Sequence, residues 1–208
     1  METLTALFGS HARVKIIRLF IFSQGVPLFL NEIVDRTKTR SLFVKRELAI
    51  LLKADIIKKR NVSKDIQVKR GKGMVTKRLK GTAYILNDKF PYLDPLKNLL
   101  TIASIQADES LARCFASSGR IKLLIAAGVF IQNWDSRVDL LIVGDELNLN
   151  KIEVIIKSVE AEIGKEIAYS AFDTQDFEYR LGIHDRLVRD ILDYPHVSLI
   201  DKLDISPK

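Results

Sequence analysis

Hydrophobic positions along this chain change rhythm near Gly119: helically spaced blocks come before it, and continuous apolar runs alternating with helical patterns come after. In the first part, Ser10 precedes Val14, Ile17, Leu19 and Phe20, a spacing that predicts a capped helix to about Ser23, ended by Gln24-Gly25-Val26-Pro27. Leu28-Phe29-Leu30 is short and apolar, a candidate first strand. Asn31 is placed to cap a helix to about Thr37, with Ile33 and Val34 inward, and Lys38-Thr39-Arg40 forms a turn. A second helix, Ser41 to Ala54 with Ser41 as its cap, shows two unlike faces at 100° per residue. One broad arc holds Phe43, Val44, Leu48, Ile50, Leu51 and Leu52, interrupted by Glu47. The opposite arc carries Lys45, Arg46 and Lys53, with Leu42 and Ala49 between them.

Ile56-Ile57 starts a strand that Thr82 to Leu86 can pair with, and Asn87-Asp88 closes the unit. The intervening stretch, with glycines at 71 and 73, reads as a hairpin tip; its length from Lys64 to Lys80 allows a second hairpin or a flexible basic arm. Apolar residues at Leu96, Leu99, Leu100, Ala103 and Ala107 predict a connecting helix to about Ser117, either a spacer or a dimerisation helix. Beyond it, Ile121–Ala127, Val138–Val143 and Glu166–Phe172 read as strands, with a last short one at His196–Ile200. Helices are predicted from Asn148 or Asn150 to Ile163, stopped by Gly164, and over Thr174–Leu181 and His184–Leu192. These elements predict two domains: an α+β unit over residues 1–93, a connector over 94–118, and an α/β sheet domain over 119–202.

Charge sharpens the division. The 208 residues carry a net +7, but residues 1–100 hold 21 Lys+Arg against 8 Asp+Glu, and residues 101–208 hold 12 against 18. A cationic half joined to an anionic half points to a polyanionic partner for the first only. Within residues 53–80 there are 11 Lys+Arg against Asp55 and Asp65, whereas an ordinary surface mixes its signs. A single cysteine, Cys114, excludes an internal disulfide and a cysteine-based zinc site and fits a reducing compartment. Neither a signal peptide nor a membrane span is visible, so the expectation is a soluble, cytoplasmic protein with no membrane partner.

A helix anchored by one face and presenting cations on the other, followed by a cationic ribbon, is suited to double-stranded DNA. The expected DNA-binding residues are Thr39, Arg40, Ser41, Lys45 and Arg46 for base edges, Lys53 on the same helix face, and Lys69, Arg70 and Lys72 at the ribbon tip for phosphate or minor-groove contact. The bland alternative for Lys45, Arg46 and Lys53 is a solvated helix face.

Leu7-Phe8-Gly9-Ser10 leading into Arg13-Val14-Lys15, and closing at Tyr84-Ile85-Leu86-Asn87, resembles the arsenic-repressor-like winged helix-turn-helix domains of prokaryotic transcription regulators, over about residues 7–90. The long basic insert from Lys64 to Lys80 departs from that pattern. In the second half, Leu123 to Gly128 followed by Asp139 to Asp145 resembles a minimal nucleotidyltransferase. That resemblance implies a Gly-Ser for phosphates and an Asp-x-Asp with a third acidic residue for two divalent metals. Here Gly128 is followed by Val129, the Asp-x-Asp position reads Arg137-Val138-Asp139, and Ile167 to Ser170 lacks a carboxylate. Asp135 cannot substitute along one strand, lying roughly 13 Å from Asp139 at about 3.3 Å per residue.

His11, His184 and His196 are scattered without metal-ligand spacing, Trp134 is either packed or placed to stack on a ligand, and Gly71-Lys72-Gly73 is not a phosphate-binding loop. The expectation is therefore a DNA-binding transcriptional regulator with no catalytic residues, metal or cofactor. Its degenerate nucleotidyltransferase-like domain would receive a small-molecule or protein effector, or mediate assembly such as a homodimer. The alternatives are a nucleotidyltransferase modifying a protein or RNA partner, and an RNA-binding adaptor, which the scarcity of aromatics among the cations disfavours.

Overall fold

The computed structural model describes residues 2–70, 73–102, 109–134 and 136–205. It is a mixed α and β structure that divides into two compact units, Glu2–Leu99 and Leu100–Lys208.

The N-terminal unit is built around α2 (His11–Phe22), whose first turn is capped by Ser10 Oγ accepting the Arg13 N–H at 3.3 Å. Val14, Ile16, Ile17, Leu19, Phe20 and Ile21 are all buried, with Arg18 among them, so α2 is covered on nearly every side and serves as the unit's central helix. Packed about it are α1 (Glu2–Phe8), which the apolar pattern did not reveal, α3 (Leu30–Thr37) and α4 (Ser41–Lys53). Both expected caps move one or two residues upstream. Phe29 occupies the cap position of α3, where its N–H is accepted by Glu32 Oε2 at 2.8 Å, and Arg40 occupies that of α4, leaving Asn31 and Ser41 inside the helices.

The buried stripe of α4 is narrower than its sequence suggests. Val44, Leu48 and Leu51 are buried, whereas Phe43 (48 %) and Ile50 (43 %) are exposed, as is Leu42 (59 %). Residues at i, i+4 and i+7 form one row along a helix, and α2 and α3 cover only that row. Glu47, which interrupts the apolar arc, accepts Arg13 Nε at 2.7 Å, and Arg13 Nη1 also donates to Phe8 O at 2.6 Å.

After a turn at Asp55 (φ 56°), β1 (Ile57–Arg70) and β2 (Gly73–Leu86) form one antiparallel ribbon, paired in unbroken register from Ile57↔Leu86 to Arg70↔Gly73. The insert is thus neither a second hairpin nor an unpaired arm through the described residues. At about 3.3–3.4 Å per residue, 14 residues per strand come to roughly 45 Å. Its base is built into the core through Ile57, Ala83 and Leu86. Leu28 contributes a single bridge to Tyr84, with both main-chain bonds at 2.8 Å, rather than a strand, because Leu30 already begins α3. Buried Asn87 locks the base: its N–H donates to Ile56 O (2.9 Å) and its Nδ2 to Asp55 O (2.7 Å).

The expected connecting helix is described as α5 (Leu93–Ile102) and α6 (Glu109–Cys114); residues 103–108 lie outside the described residues. The C-terminal unit has a four-stranded sheet in the order β5-β4-β3-β6, with β3 at Arg120–Ala126, β4 at Leu140–Asp145, β5 at Tyr169–Phe172 and β6 at Val197–Asp201. β3 runs antiparallel to β4 and β6, and β4 is parallel to β5 through the crossover helix α7 (Leu149–Ile163). Asn148 caps α7 and Gly164 (φ 86°) ends it, with Asn150 inside. The strand bounds shift by one to three residues from the apolar runs, most at β5, because Ala168 bonds to Asp139 before pairing begins. Leu123, Ile125, Leu141 and Val143 pack with Phe177 of α8 (Thr174–Gly182) and Val188 and Ile191 of α9 (Arg186–Leu192). The alternate residues Leu124, Leu140 and Ile142 are fully buried too, so both sheet faces are covered. Among the described residues no helix is long and apolar enough to cross a membrane.

The narrow stripe makes a prediction that the broad arc does not. Leu48→Ala should cost about 2–5 kcal/mol in urea unfolding followed by far-ultraviolet circular dichroism. Phe43→Ala and Ile50→Ala should each change stability by less than about 1 kcal/mol.

Candidate nucleic-acid interface

Around α4 the structure brings together most of the cations picked out by pattern. Lys38 sits at the C-cap of α3 in the left-handed region (φ 51°), which turns the chain sharply into Thr39 and Arg40. Thr39 is half-buried and its hydroxyl donates to Thr37 O at 3.2 Å, so it shapes the turn as well as bordering α4. Arg40, Ser41, Lys45, Arg46 and Lys53 are exposed. Among the described residues, none of the cations Arg40, Lys45, Arg46 or Lys53 forms an ion pair, although Arg13, Lys97 and Arg120 do. Unpaired exposed cations keep their full charge for a polyanion.

Lys58, Lys59 and Arg60, exposed at the start of the ribbon, continue this surface along β1, and Arg78 and Lys80 lie exposed on β2. Lys69 and Arg70 are placed by register at the far end, opposite Met74 and Gly73, and Lys72 lies outside the described residues. Leu42, which the sequence placed on the cationic arc, and Phe43, which it placed on the apolar one, are both exposed in the first turn of α4 among these cations; for Phe43 only the packing of α4 shows it.

In the C-terminal unit, the residues resembling a nucleotidyltransferase site take a different arrangement. β3 ends at Ala126, Gly128 adopts φ 53°, and a 3₁₀ turn over Gly128–Ile131 follows. Asp139 enters the space beside this turn at 4 % exposure. Its Oδ1 accepts the Val129 N–H at 2.8 Å and its Oδ2 accepts the Ala168 N–H at 3.0 Å, while Lys165 Nζ stands 4.0 Å from Oδ1. A Cβ at Gly128 would overlap this carboxylate. Asp139 thus clamps the β3 turn and the start of β5 to β4; both of its oxygens are engaged by main-chain donors. Arg137 points instead to Asp190, at 3.0 Å, and Asp135 lies outside the described residues. Among the described residues no group of three His, Cys, Asp or Glu could hold a metal ion. Trp134 is half-exposed with Lys165 Nζ 5.4 Å from its ring centroid, a cation–π contact.

Replacing Asp139 by alanine should leave two buried N–H groups without acceptors, at about 1–3 kcal/mol each. Urea unfolding followed by the fluorescence of Trp134 should show that loss, and Gly128→Ala should be destabilising as well. Addition of Mg²⁺ should leave the parent's unfolding midpoint in place; a rise abolished by Asp139→Ala would instead identify a metal ligand. No protein-family model matches the chain, and neither a curated protein nor a solved structure matches it.

Proposed function

We propose that this chain is a cytoplasmic, sequence-specific DNA-binding transcriptional regulator. In this reading α2, α3 and α4 with the β1–β2 ribbon form a winged helix-turn-helix, and the C-terminal unit is a nucleotidyltransferase-like domain without catalytic activity, used as a sensor or assembly module. The observation that carries the reading is the anchoring of α4 through the buried row Val44, Leu48 and Leu51, which leaves Arg40, Lys45, Arg46 and Lys53 exposed and, among the described residues, without an ion-pair partner. A helix of about 10–12 Å diameter fits the major groove of duplex DNA, which is about 12 Å wide. Arg46 and Lys45 would reach base edges, and Leu42 or Phe43 offers an apolar contact for a thymine methyl.

The ribbon supplies affinity. At roughly 45 Å it exceeds one helical turn of duplex, about 34 Å, so cations spread along it can meet phosphates on successive segments of backbone. Each such contact releases counterions, and binding should weaken steeply with salt. The absence of catalysis is supported by Asp139, whose two oxygens are committed to Val129 and Ala168.

Gel-shift titration over a salt series tests the proposal, and failure to bind any duplex at low salt would sink it. Lys45→Glu with Arg46→Glu should weaken site-specific binding by about 1–3 kcal/mol for each base-reading interaction removed. Lys58→Ala with Lys59→Ala should instead weaken all duplexes alike and reduce the salt slope by about 1 per phosphate neutralised. If the Lys45/Arg46 variant binds its selected site as tightly as the parent, α4 does not read the bases.

A further inference from the structure

The C-terminal unit is acidic as a whole, yet one end of its sheet gathers cations. Residues 101–208 hold 12 Lys+Arg against 18 Asp+Glu. Four of those cations, Arg113, Arg120, Lys122 and Lys202, line a single cavity of about 610 Å³ in which Asp145 is the lining carboxylate. Its walls come from α6, the start of β3 and the ends of β4 and β6. Since β3 is antiparallel to both neighbours, this is where the carboxyl ends of β4 and β6 meet. It is the opposite sheet end from Gly128 and Asp139. Ligands of open α/β sheets characteristically bind outside the carboxyl ends of strands.

Two of the cations are held without being neutralised, and two are paired. Arg113 Nε donates to Glu109 O at 3.3 Å and Lys202 Nζ to Ile121 O at 3.2 Å, so main-chain carbonyls position them without cancelling their charge. Lys122 pairs with Asp145 at 3.0 Å and Arg120 with Glu146 at 2.7 Å. Asp145 is itself engaged on its other side, accepting the Thr174 hydroxyl at 2.6 Å. The Thr174 hydroxyl first, and then Lys122, hold the Asp145 carboxyl below its ordinary range, so it stays ionised and keeps Lys122 in place. Counting Glu146, four positive charges face two negative ones.

That surplus suits a dianion, and a phosphate ester carries a charge of about −1.5 to −2 at neutral pH. Two of the four cations are arginines, whose planar forks match phosphate oxygens bidentately. Ala112, Ala116, Ile121 and Ile200 add an apolar panel to the same cavity, a surface inorganic phosphate would not use. The volume lies within the range of about 300–1,000 Å³ usual for small-ligand sites. A second cavity, about 460 Å³, is also lined by arginines, but Arg137 and Arg186 there are both directed at Asp190, at 3.0 and 4.0 Å.

We propose that the cavity at Arg113, Arg120, Lys122 and Lys202 binds a small phosphorylated organic molecule. The assignment rests on the sensor reading of the C-terminal unit for its biological use, but the binding itself needs no DNA.

Isothermal titration calorimetry on the full chain, without DNA and at low salt, tests it. The probes are adenosine 5′-monophosphate, glucose 6-phosphate and inorganic phosphate, with adenosine and glucose as uncharged counterparts. One of the two organic phosphates should bind saturably with 1:1 stoichiometry, more tightly than inorganic phosphate, while its uncharged counterpart should not bind. Arg113→Ala and Lys202→Ala, both exposed and replaceable without disturbing the core, should each weaken that binding by about tenfold or more. Arg186→Ala, at the other cavity, should leave it unchanged. Absence of saturable binding by both organic phosphates overturns the assignment, as does binding that survives the Arg113 and Lys202 substitutions. Loss of duplex affinity in those variants without loss of probe binding would overturn it in favour of a DNA-facing surface. A negative titration alongside a positive gel shift would reject this ligand site and leave DNA binding standing.

Discussion

Val44, Leu48 and Leu51 attach α4 to the rest of the N-terminal unit by a single row of side chains, and much of that unit's surface chemistry follows from the narrowness of the row. A helix seated through a wide arc would turn Phe43 and Ile50 inward and leave only a thin polar edge. Held by one row, α4 exposes most of its circumference, with Arg40, Lys45, Arg46 and Lys53 free of carboxylate partners among the described residues and Leu42 and Phe43 beside them. Arg13 fixes the remaining rotational freedom by binding Glu47 from α2 while holding the carbonyl of Phe8. The long ribbon then begins directly behind α4, its base locked by Asn87.

The C-terminal unit shows how the same side chain can serve chemistry or architecture. A carboxylate beside a glycine turn at a strand end is where a divalent metal could be held, and Asp139 stands in such a place. Here two main-chain N–H groups occupy its oxygens, and the Gly128 turn is pressed so close that no side chain could intervene. A buried carboxylate satisfied in this way strengthens the sheet's junctions. Four cations of this unit border an apolar panel at the other end of the sheet.

Charge separation distinguishes the two halves. The N-terminal unit carries a surplus of 13 positive charges and the remainder a deficit of 6, so a polyanion meets attraction from one and repulsion from the other. Against that acidic background the cavity at Arg113 and Lys202 is a local reversal of sign, small enough to select a compact anion rather than a polymer.

Most of the element order after α1, the change of rhythm near Gly119, the helix boundaries at Ser10, Asn148 and Gly164 and the cationic run from Lys53 to Lys80 are legible in the order of the amino acids. These are local quantities: a cap, a stop and a charge count depend on neighbours a few residues away. Which apolar residues of α4 are buried is a matter of packing, because periodicity gives the direction of a face but not the width of what covers it. The pairing of Lys64–Arg70 with Gly73–Lys80 in one ribbon likewise needed the fold, since register depends on a partner strand. The role of Asp139 was beyond the sequence for the same reason. Its partners Val129 and Ala168 are 10 and 29 residues away, and only folding makes them neighbours. The cavity draws on α6, β3, β4 and β6, so its positive sign is invisible in a chain whose second half counts as acidic.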